Sequence, residues 1–477
     1  MPIESVQSFR MRASAIIRII CLTALGVGMV GCATTSQVMN PAANHPDRAV
    51  SFRNALQSDG TAQLTASLNQ LNRLANSQDR ILFLQERGRL QSLTGDLDSG
   101  IRDFQEASDW FEEQRMRPSL SLTQTFFSSV ALATNDLAIP YDGAHYEKVM
   151  LHNLQAINYL RKGDFSRARI ELNRADVEQE FAREQNRRLV DSARRELSDE
   201  NISMDAVNRA LQQAEQRMAS VRATATSPFL NAFTYFFSAV LFEHFEEWDR
   251  ALIDYRKALE IQPDHPVLRE SYQQLNRRRA GGGGAWAGQG RVIVLYNDGF
   301  IANRSALQVP FVYDTSILHI SLPYYDARNI ARPVPLLLEA GSGLSGQTAV
   351  LNDLNSMAVH ELKARYPAIL VRQLLRLIVK REVQKAAEEE SPLLGFLANV
   401  MNVVTDRPDL RSWTTLPANQ QIASLHLPPG PHELKFGTNR SSMQSVNFDL
   451  ESGQTVFLIV DRTGNRLHVT VAQPSNL

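Results

Sequence analysis

Cysteine is nearly absent: the 477-residue chain has two, Cys21 and Cys32. A disulfide framework is thereby excluded, and stability must come from packed cores. An excess of either charge is missing too. Fifty Lys and Arg stand against 51 Asp and Glu, which leaves no basic face for a nucleic-acid partner. No uncharged apolar run reaches spanning length. Ile19 to Gly31 (IICLTALGVGMVG) has 13 residues, against the ~20 that a membrane-spanning helix needs. Complete enzyme motifs are also missing. His360-Glu361-Leu362-Lys363 and His432-Glu433-Leu434-Lys435 begin like a zinc-protease motif. Neither has the second His one turn later, so neither offers two ligands on one helix face. Gly341-Ser342-Gly343-Leu344-Ser345-Gly346 has neither nucleophile-elbow spacing nor a phosphate-loop Lys, and reads as a flexible loop. His145 and His152 lie two turns apart on an expected helix, where a core or surface role is commoner than a metal site. No metal and no cofactor is expected.

What is present begins with a leader. Arg10, Arg12 and Arg18 form a positive region, the apolar run follows, and Met29-Val30-Gly31-Cys32 closes it. This resembles the lipobox of bacterial lipoproteins, although Met29 and Val30 depart from the commonest Leu-Ala/Ser. Residues 1–31 are therefore expected to be a signal peptide, with Met1 or Met11 as the start. Cys32 would carry acyl chains such as palmitate, and 32–46 would be a tether. Ala33 in place of the Asp that signals retention favours the outer membrane, with the chain facing the periplasm. Cleavage would leave 446 residues with 47 basic and 50 acidic side chains and no thiol but Cys32. The membrane lipid is then one partner, reached through acylated Cys32.

The body of the chain divides at Gly281–Gly290, a Gly-rich linker that cannot repay the entropy of ordering. Residues 47–280 read as helical and contain a repeat. In AFTYFFSAVLFEHFEEWDRALIDYRKALEIQP (232–263), Ala251, Tyr255, Ala258 and Pro263 stand at tetratricopeptide (TPR) offsets. Ala251 and Ala258 share a helix face where only small side chains let a second helix approach; Tyr255 fills the gap and Pro263 ends the helix. A second copy carries Ala156, Tyr159, Ala168, Leu172 and Ala175, and a third Gly88, Gly100, Phe104 and Ala107. The copies start near 81, 149 and 232, so insertions separate them. One insertion, about 176–224, reads as a long polar helical hairpin or a charged linker. Stacked helix pairs build a concave face, which would hold a partner or merely space two others.

Residues 291–477 change character. Arg291 to Tyr296 reads as a strand before an Asn297-Asp298-Gly299 turn, and Ser316 to Leu322 as a strand closed by Pro323. Ala368 to Val383 reads as a helix with a basic stripe at Arg372, Arg376 and Lys380. Ser391-Pro392 starts a more apolar helix. Asp406, Asp409 and Arg411 cluster before Trp413, either as a catalytic or sugar-binding group or as an ion-pair network around a buried Trp. From about 420 to 473 alternating segments predict an antiparallel meander or sandwich, with Gly464-Asn465 as a two-residue hairpin turn.

Two segments carry a further likeness. Tyr141-Asp142-Gly143-Ala144-His145-Tyr146-Glu147-Lys148-Val149-Met150-Leu151-His152 and Asp409-Leu410-Arg411-Ser412-Trp413-Thr414-Thr415-Leu416-Pro417, with the Leu-Pro-Pro-Gly-Pro-His turn after it, occur in the same order in a group of TPR-containing proteobacterial outer-membrane lipoproteins, which the chain resembles over most of its mature length. Members tend to be encoded near lipoproteins that activate penicillin-binding proteins. The resemblance implies an envelope role, supplies no active site, and marks Tyr141, Gly143, Glu147, His152, Arg411 and Trp413 as motif residues. The expected fold is mixed: a TPR-like α-solenoid, then an α+β domain with a C-terminal β module. The expected function is a non-enzymatic protein-interaction scaffold for unidentified envelope proteins. The alternative is a peptidoglycan-acting enzyme or sugar-binding protein working through the second domain.

Overall fold

A computed structural model describes residues 45–58, 60–116, 137, 139–199, 204–219, 221, 229–281, 288–313, 316–341, 343–390 and 408–474. Cys32, Asp406, the linker residues 282–287 and the expected helix after Ser391 lie outside them. Eleven helices and eleven strands lie within them, ten helices first and then the strands with one long helix among them, as the mixed fold class requires.

Helices α1 (His45–Gln57) and α2 (Thr61–Leu74) precede three helix hairpins. These are α3 (Arg80–Leu93) with α4 (Leu97–Met116), α5 (His145–Arg161) with α6 (Phe165–Asp199), and α8 (Ala232–His244) with α9 (Trp248–Ile261). They fall where the three sequence copies start, and their small residues are contacts. Ala156, Ala168, Ala175, Ala251 and Ala258 are fully buried, and Tyr159 and Tyr255 are buried beside them. Pro263 is exposed just after α9 ends. In the first hairpin a Cβ on Gly88 would stand 2.7 Å from the Phe104 ring, and one on Gly100 2.3 Å from Ser92 Oγ. Only Gly lets these two helices come this close. The polar insertion is helical: α6 runs on to Asp199, and α7 (Met204–Arg217) returns to pack on strands β2 (Arg304–Tyr313) and β3 (Ser316–Tyr325). Helix α10 (Pro266–Arg279) closes the helical part.

The strand part does not stand apart from it. Strand β1 (Gly290–Asp298) is central in a five-stranded sheet of order β11-β10-β1-β7-β6, where β6 is Ala349–Asp353, β7 Asn419–Leu427, β10 Thr455–Thr463 and β11 Arg466–Ala472. Alternation gives this sheet two different faces. Ile293, Leu295, Ile422, Phe457 and Ile459 belong to the same apolar core as Phe104, Leu154 and Phe237 of the helices. Val292, Val294, Leu425, Val456, Leu458 and Val460 face a second, four-stranded sheet, ordered β5-β4-β8-β9. Its strands are β4 (Leu337–Ala340), β5 (Leu344–Gln347), β8 (Gly430–Gly437) and β9 (Gln444–Leu450). The layers are thus helices, sheet, sheet. Secondary structure changes at the Gly-rich segment, but the apolar core runs across it. The inward side of the helix hairpins, expected as a concave partner face, is covered by the chain's own β1, β10 and helix α11 (Leu354–Glu390).

Four local expectations are corrected. The strands after 419 are not one antiparallel meander: β7 pairs with β1 and β6, while β10 lies parallel to β1. Local alternation identifies strands but not partners, and β10 is buried on both faces, which suits a place between neighbours. Pro323 does not end β3, which continues to Tyr325 in a two-stranded hairpin whose free edges tolerate a missing N–H. Helix α11 starts at Leu354, not Ala368, and runs through Pro367. The buried row Leu354, Met357, Ala358, Leu362, Tyr366, Leu370 and Leu374 is continuous across the proline, so packing outweighs its cost of ~3 kcal/mol. Of the basic stripe, the Arg372 side chain is half-buried, and the side chains of Arg376 and Lys380 fall outside the described ones. Within the Gly341–Gly346 segment, Leu344 to Gly346 lie in strand β5 and not in a loop, with Gly346 opposite Leu338. The Gly464-Asn465 turn stands as expected between β10 and β11.

Candidate functional site

The segment 408–418 has no regular structure, yet Arg411 to Ala418 are buried. Buried backbone N–H groups need acceptors, and here carboxylates from the helices supply them. Glu86, in the middle of α3, has no exposed surface. One of its oxygens takes the N–H and hydroxyl of Thr414, both at 2.7 Å, and Nε2 of His45 at 3.1 Å. The other takes the N–H of Thr415 at 3.2 Å and its hydroxyl at 2.6 Å. Burial alone would raise the Glu86 carboxyl, but these donors hold it below its ordinary value.

Glu147, in the first turn of α5, does the same for the next residue. It accepts the Trp413 N–H at 3.0 Å, the Tyr146 hydroxyl at 3.1 Å, the Ala144 N–H at 3.1 Å and the Tyr141 hydroxyl. Burial pushes its carboxyl up, and Arg304 and the hydrogen bonds offset that only in part. Gly143 takes φ 74° immediately before the helix, a conformation that bulkier residues avoid. Trp413 is fully buried, donates from its indole to Thr415 Oγ1 at 3.1 Å, and meets the Phe104 ring edge-on at 5.5 Å.

Arg411 joins the two ends. Its guanidinium donates to Asp79 at 2.6 Å, twice to Asp409 at 2.9 and 2.8 Å, and to the Ile139 carbonyl at 2.9 Å. It also lies over the Tyr141 ring at 5.7 Å. Asp409 is held below its ordinary value by Arg411 against the effect of burial. Asp79 is raised, burial outweighing Arg411, and its Oδ2 is buried without a hydrogen-bond partner.

Tyr141, Gly143, Glu147, Arg411 and Trp413 are therefore one constellation, 266 residues apart along the chain at its Glu147–Trp413 link. His152 stands outside it, two turns along α5, bonded through Nδ1 to Glu171 at 2.7 Å. His145 packs edge-on to Phe229, and burial lowers it well below its ordinary value. Glu361 of the His-Glu pair accepts the N–H groups of His145 and Tyr146 at 2.8 and 3.1 Å, so it caps α5 from another helix. His432 is on β8, half-buried and hydrogen-bonded to the Pro428 carbonyl. Among the described residues no group of three His, Cys, Asp or Glu side chains is placed to hold a metal, and no helix is long and apolar enough to cross a membrane.

Pattern reading passed over Asp79, Glu86, Arg304, Tyr325 and Asp461. Glu86 had one usable sign, an acid following the apolar run Ile81-Leu82-Phe83-Leu84 in a helix that buries most of its circumference.

Comparison with protein-family models, with curated proteins and with solved structures gives no match.

Proposed function

We propose that the chain is a lipid-anchored, periplasm-facing lipoprotein of the outer membrane. It works there as a non-enzymatic scaffold for cell-envelope assembly, peptidoglycan included, on helix hairpins of TPR type. One observation carries this choice over catalysis: the polar residues best suited to chemistry are already occupied. Glu86 receives five hydrogen bonds and Glu147 four, all from this chain, and neither carboxylate has exposed surface. A carboxylate so engaged has no lone pair facing a substrate. The envelope assignment rests on the leader, on Cys32 and on the lipoprotein resemblance.

One observation favours the alternative enzyme: Asp79, a carboxyl raised above its ordinary value beside an arginine, which is a common mark of acid–base catalysts. It is fully buried at the N-terminus of α3, however, which places it beyond a substrate's reach. Because the inward hairpin face is covered, partner binding falls to outward faces. On α6, Ile170 and Val177 stand a heptad apart and are 49% and 55% exposed.

The test is complementation of a deletion strain, read as detergent or β-lactam sensitivity. Cys32→Ser should release the chain from outer-membrane fractions, since acyl chains contribute ~0.8 kcal/mol per buried CH₂ and the thiol is the only acceptor. Ile170→Glu with Val177→Glu should lose function while melting like wild type. Asp409→Asn, with partly exposed side chain, should complement. An Asp409→Asn protein that accumulates, localises correctly and behaves like the deletion would replace the scaffold with the enzyme.

A further inference from the structure

Outside the Trp413 region a second buried ion cluster lies where α3, α5 and β10 meet, and it has the opposite composition. Asp461 of β10 is fully buried. Its Oδ1 accepts Arg89 Nη2 at 2.6 Å and Asn297 Nδ2 at 2.9 Å, and its Oδ2 accepts Arg161 Nη2 at 2.5 Å. Both guanidinium side chains are only 4% exposed. Arg161 also donates from Nη1 to the Ser92 carbonyl at 3.3 Å.

Two cations thus share one anion. Among the described residues the neighbouring acid, Asp298, is already committed to the Tyr296 hydroxyl, Asn419, the Val334 N–H and Arg462. His468 pairs in register with Asp461, and its Nε2 lies 2.9 Å from Thr463 Oγ1. Burial lowers that imidazole to about 4, so it adds no charge at neutral pH. Guanidinium does not shed its proton in proteins, and an uncompensated buried charge is costly.

The covalent geometry of arginine shows where compensation is wanted. Nε–H and Nη2–H lie side by side on one edge of the guanidinium plane, the edge that makes bidentate contacts. In Arg89 and in Arg161 the Nη2 half of this edge is on Asp461. The Nε half is buried without a hydrogen-bond partner in both. Two donors, one from each cation, are left open beside a single carboxylate.

We propose that the Arg89–Arg161 pair at Asp461 is a binding site for a small inorganic monoanion of chloride type, held by the two Nε–H groups and neutralising the excess charge. A water molecule would satisfy a donor but not the charge. A multiply charged anion would overcompensate it, and a bulky one would not fit so closed a setting.

The experiment uses the full chain in detergent, with chloride and bromide as probes and gluconate as a bulky control at equal ionic strength. Chloride should raise the melting temperature saturably, by roughly 2–4 °C at about 0.2 M, where gluconate does not. A crystal soaked in bromide should give an anomalous peak in hydrogen-bonding range of both Nε atoms. Arg161→Lys keeps the charge and removes the fork, so it should abolish the saturable response. If that variant does not fold, the bromide peak on the wild-type chain still decides. Equal melting curves in chloride and gluconate, or density for water alone at both Nε positions, would overturn the site.

Discussion

Arg411 and Asp461 are inverses of each other. At Arg411 one buried cation holds two carboxylates, Asp79 and Asp409; at Asp461 one buried carboxylate holds two guanidiniums, Arg89 and Arg161. Both tie a helix of the first half to the strand-rich half. They differ in how the odd charge can be relieved. A surplus carboxyl can take a proton, and Asp79 is shifted in that direction. A surplus guanidinium has no such exit. The acidic surplus is therefore self-correcting with pH, and the basic one requires something from outside.

That difference orders the expected effects. The largest belongs to Asp461→Asn, which removes the one carboxylate shared by two buried guanidiniums and should cost ~3–5 kcal/mol. Because arginine cannot titrate, denaturant melts should return the same loss at pH 5 and pH 8. A loss that shrinks in acid would break the contrast.

Arg411→Gln should also be severe at pH 8, toward the lower end of ~3–5 kcal/mol, since Asp79 and Asp409 then face each other unpaired. Here the loss should be smaller at pH 5 than at pH 8, because Asp79, already raised by burial, takes a proton more readily as pH falls. Equal losses at both pH values would show that the acidic cluster does not relieve itself by protonation.

The wild-type acid limb should carry both signs. Asp461 is held down to about 2 by Arg89 and Arg161 against burial. Its contribution is full above the ordinary carboxylate value of ~4 and is lost as pH falls toward 2. Asp79 is raised, so its contribution is full below ~4 and is lost as pH climbs through its folded value. Replacing Asp461 should flatten the acid limb, and replacing Asp79 should steepen it.

The smallest effect is expected for Asp79→Asn. Its Oδ1 keeps the Tyr141 N–H and Arg411, while the new amide nitrogen takes the place of an oxygen that has no partner. A cost of ~1 kcal/mol or less is expected in the same melts. A cost matching that of Asp461→Asn would mean that Asp79 is needed as an anion.

Much of the architecture was legible in local pattern. The helix hairpins near 81, 149 and 232 follow from small residues at contact spacing, the segments around 292 and 458 from short apolar runs, and those around 318, 448 and 469 from alternation. Partners were not legible, because β1 finds β10 more than 160 residues later and nothing in either strand names the other. The Trp413 constellation was reached through resemblance for Tyr141 and Glu147, and for Asp409 and Arg411 also through their clustering before Trp413, where the ion-pair reading matches the Arg411–Asp409 pair. Its closing acid, Glu86, looks like any polar residue on a helix until a loop from residue 414 is laid against it. Asp461 was invisible for a related reason: it follows the apolar run Val456 to Val460 as any acid near a strand end does, and only the two arginines from α3 and α5 make it a hub.

The parallel pairing of β1 with β10 also has a kinetic consequence. The sheet that covers the helix hairpins lacks its central neighbour until residues 455–463 have emerged. Until then Phe237 lacks the Phe457 ring that packs on it at 6.2 Å. Contacts of such sequence separation are slow to form, because loop closure precedes any gain from burial. A chain delivered from its N-terminus therefore keeps the part of the helical layer that β10 covers exposed until late in synthesis, a state prone to aggregation. Its yield should depend on holding chaperones more than on the strength of any single contact in the finished fold.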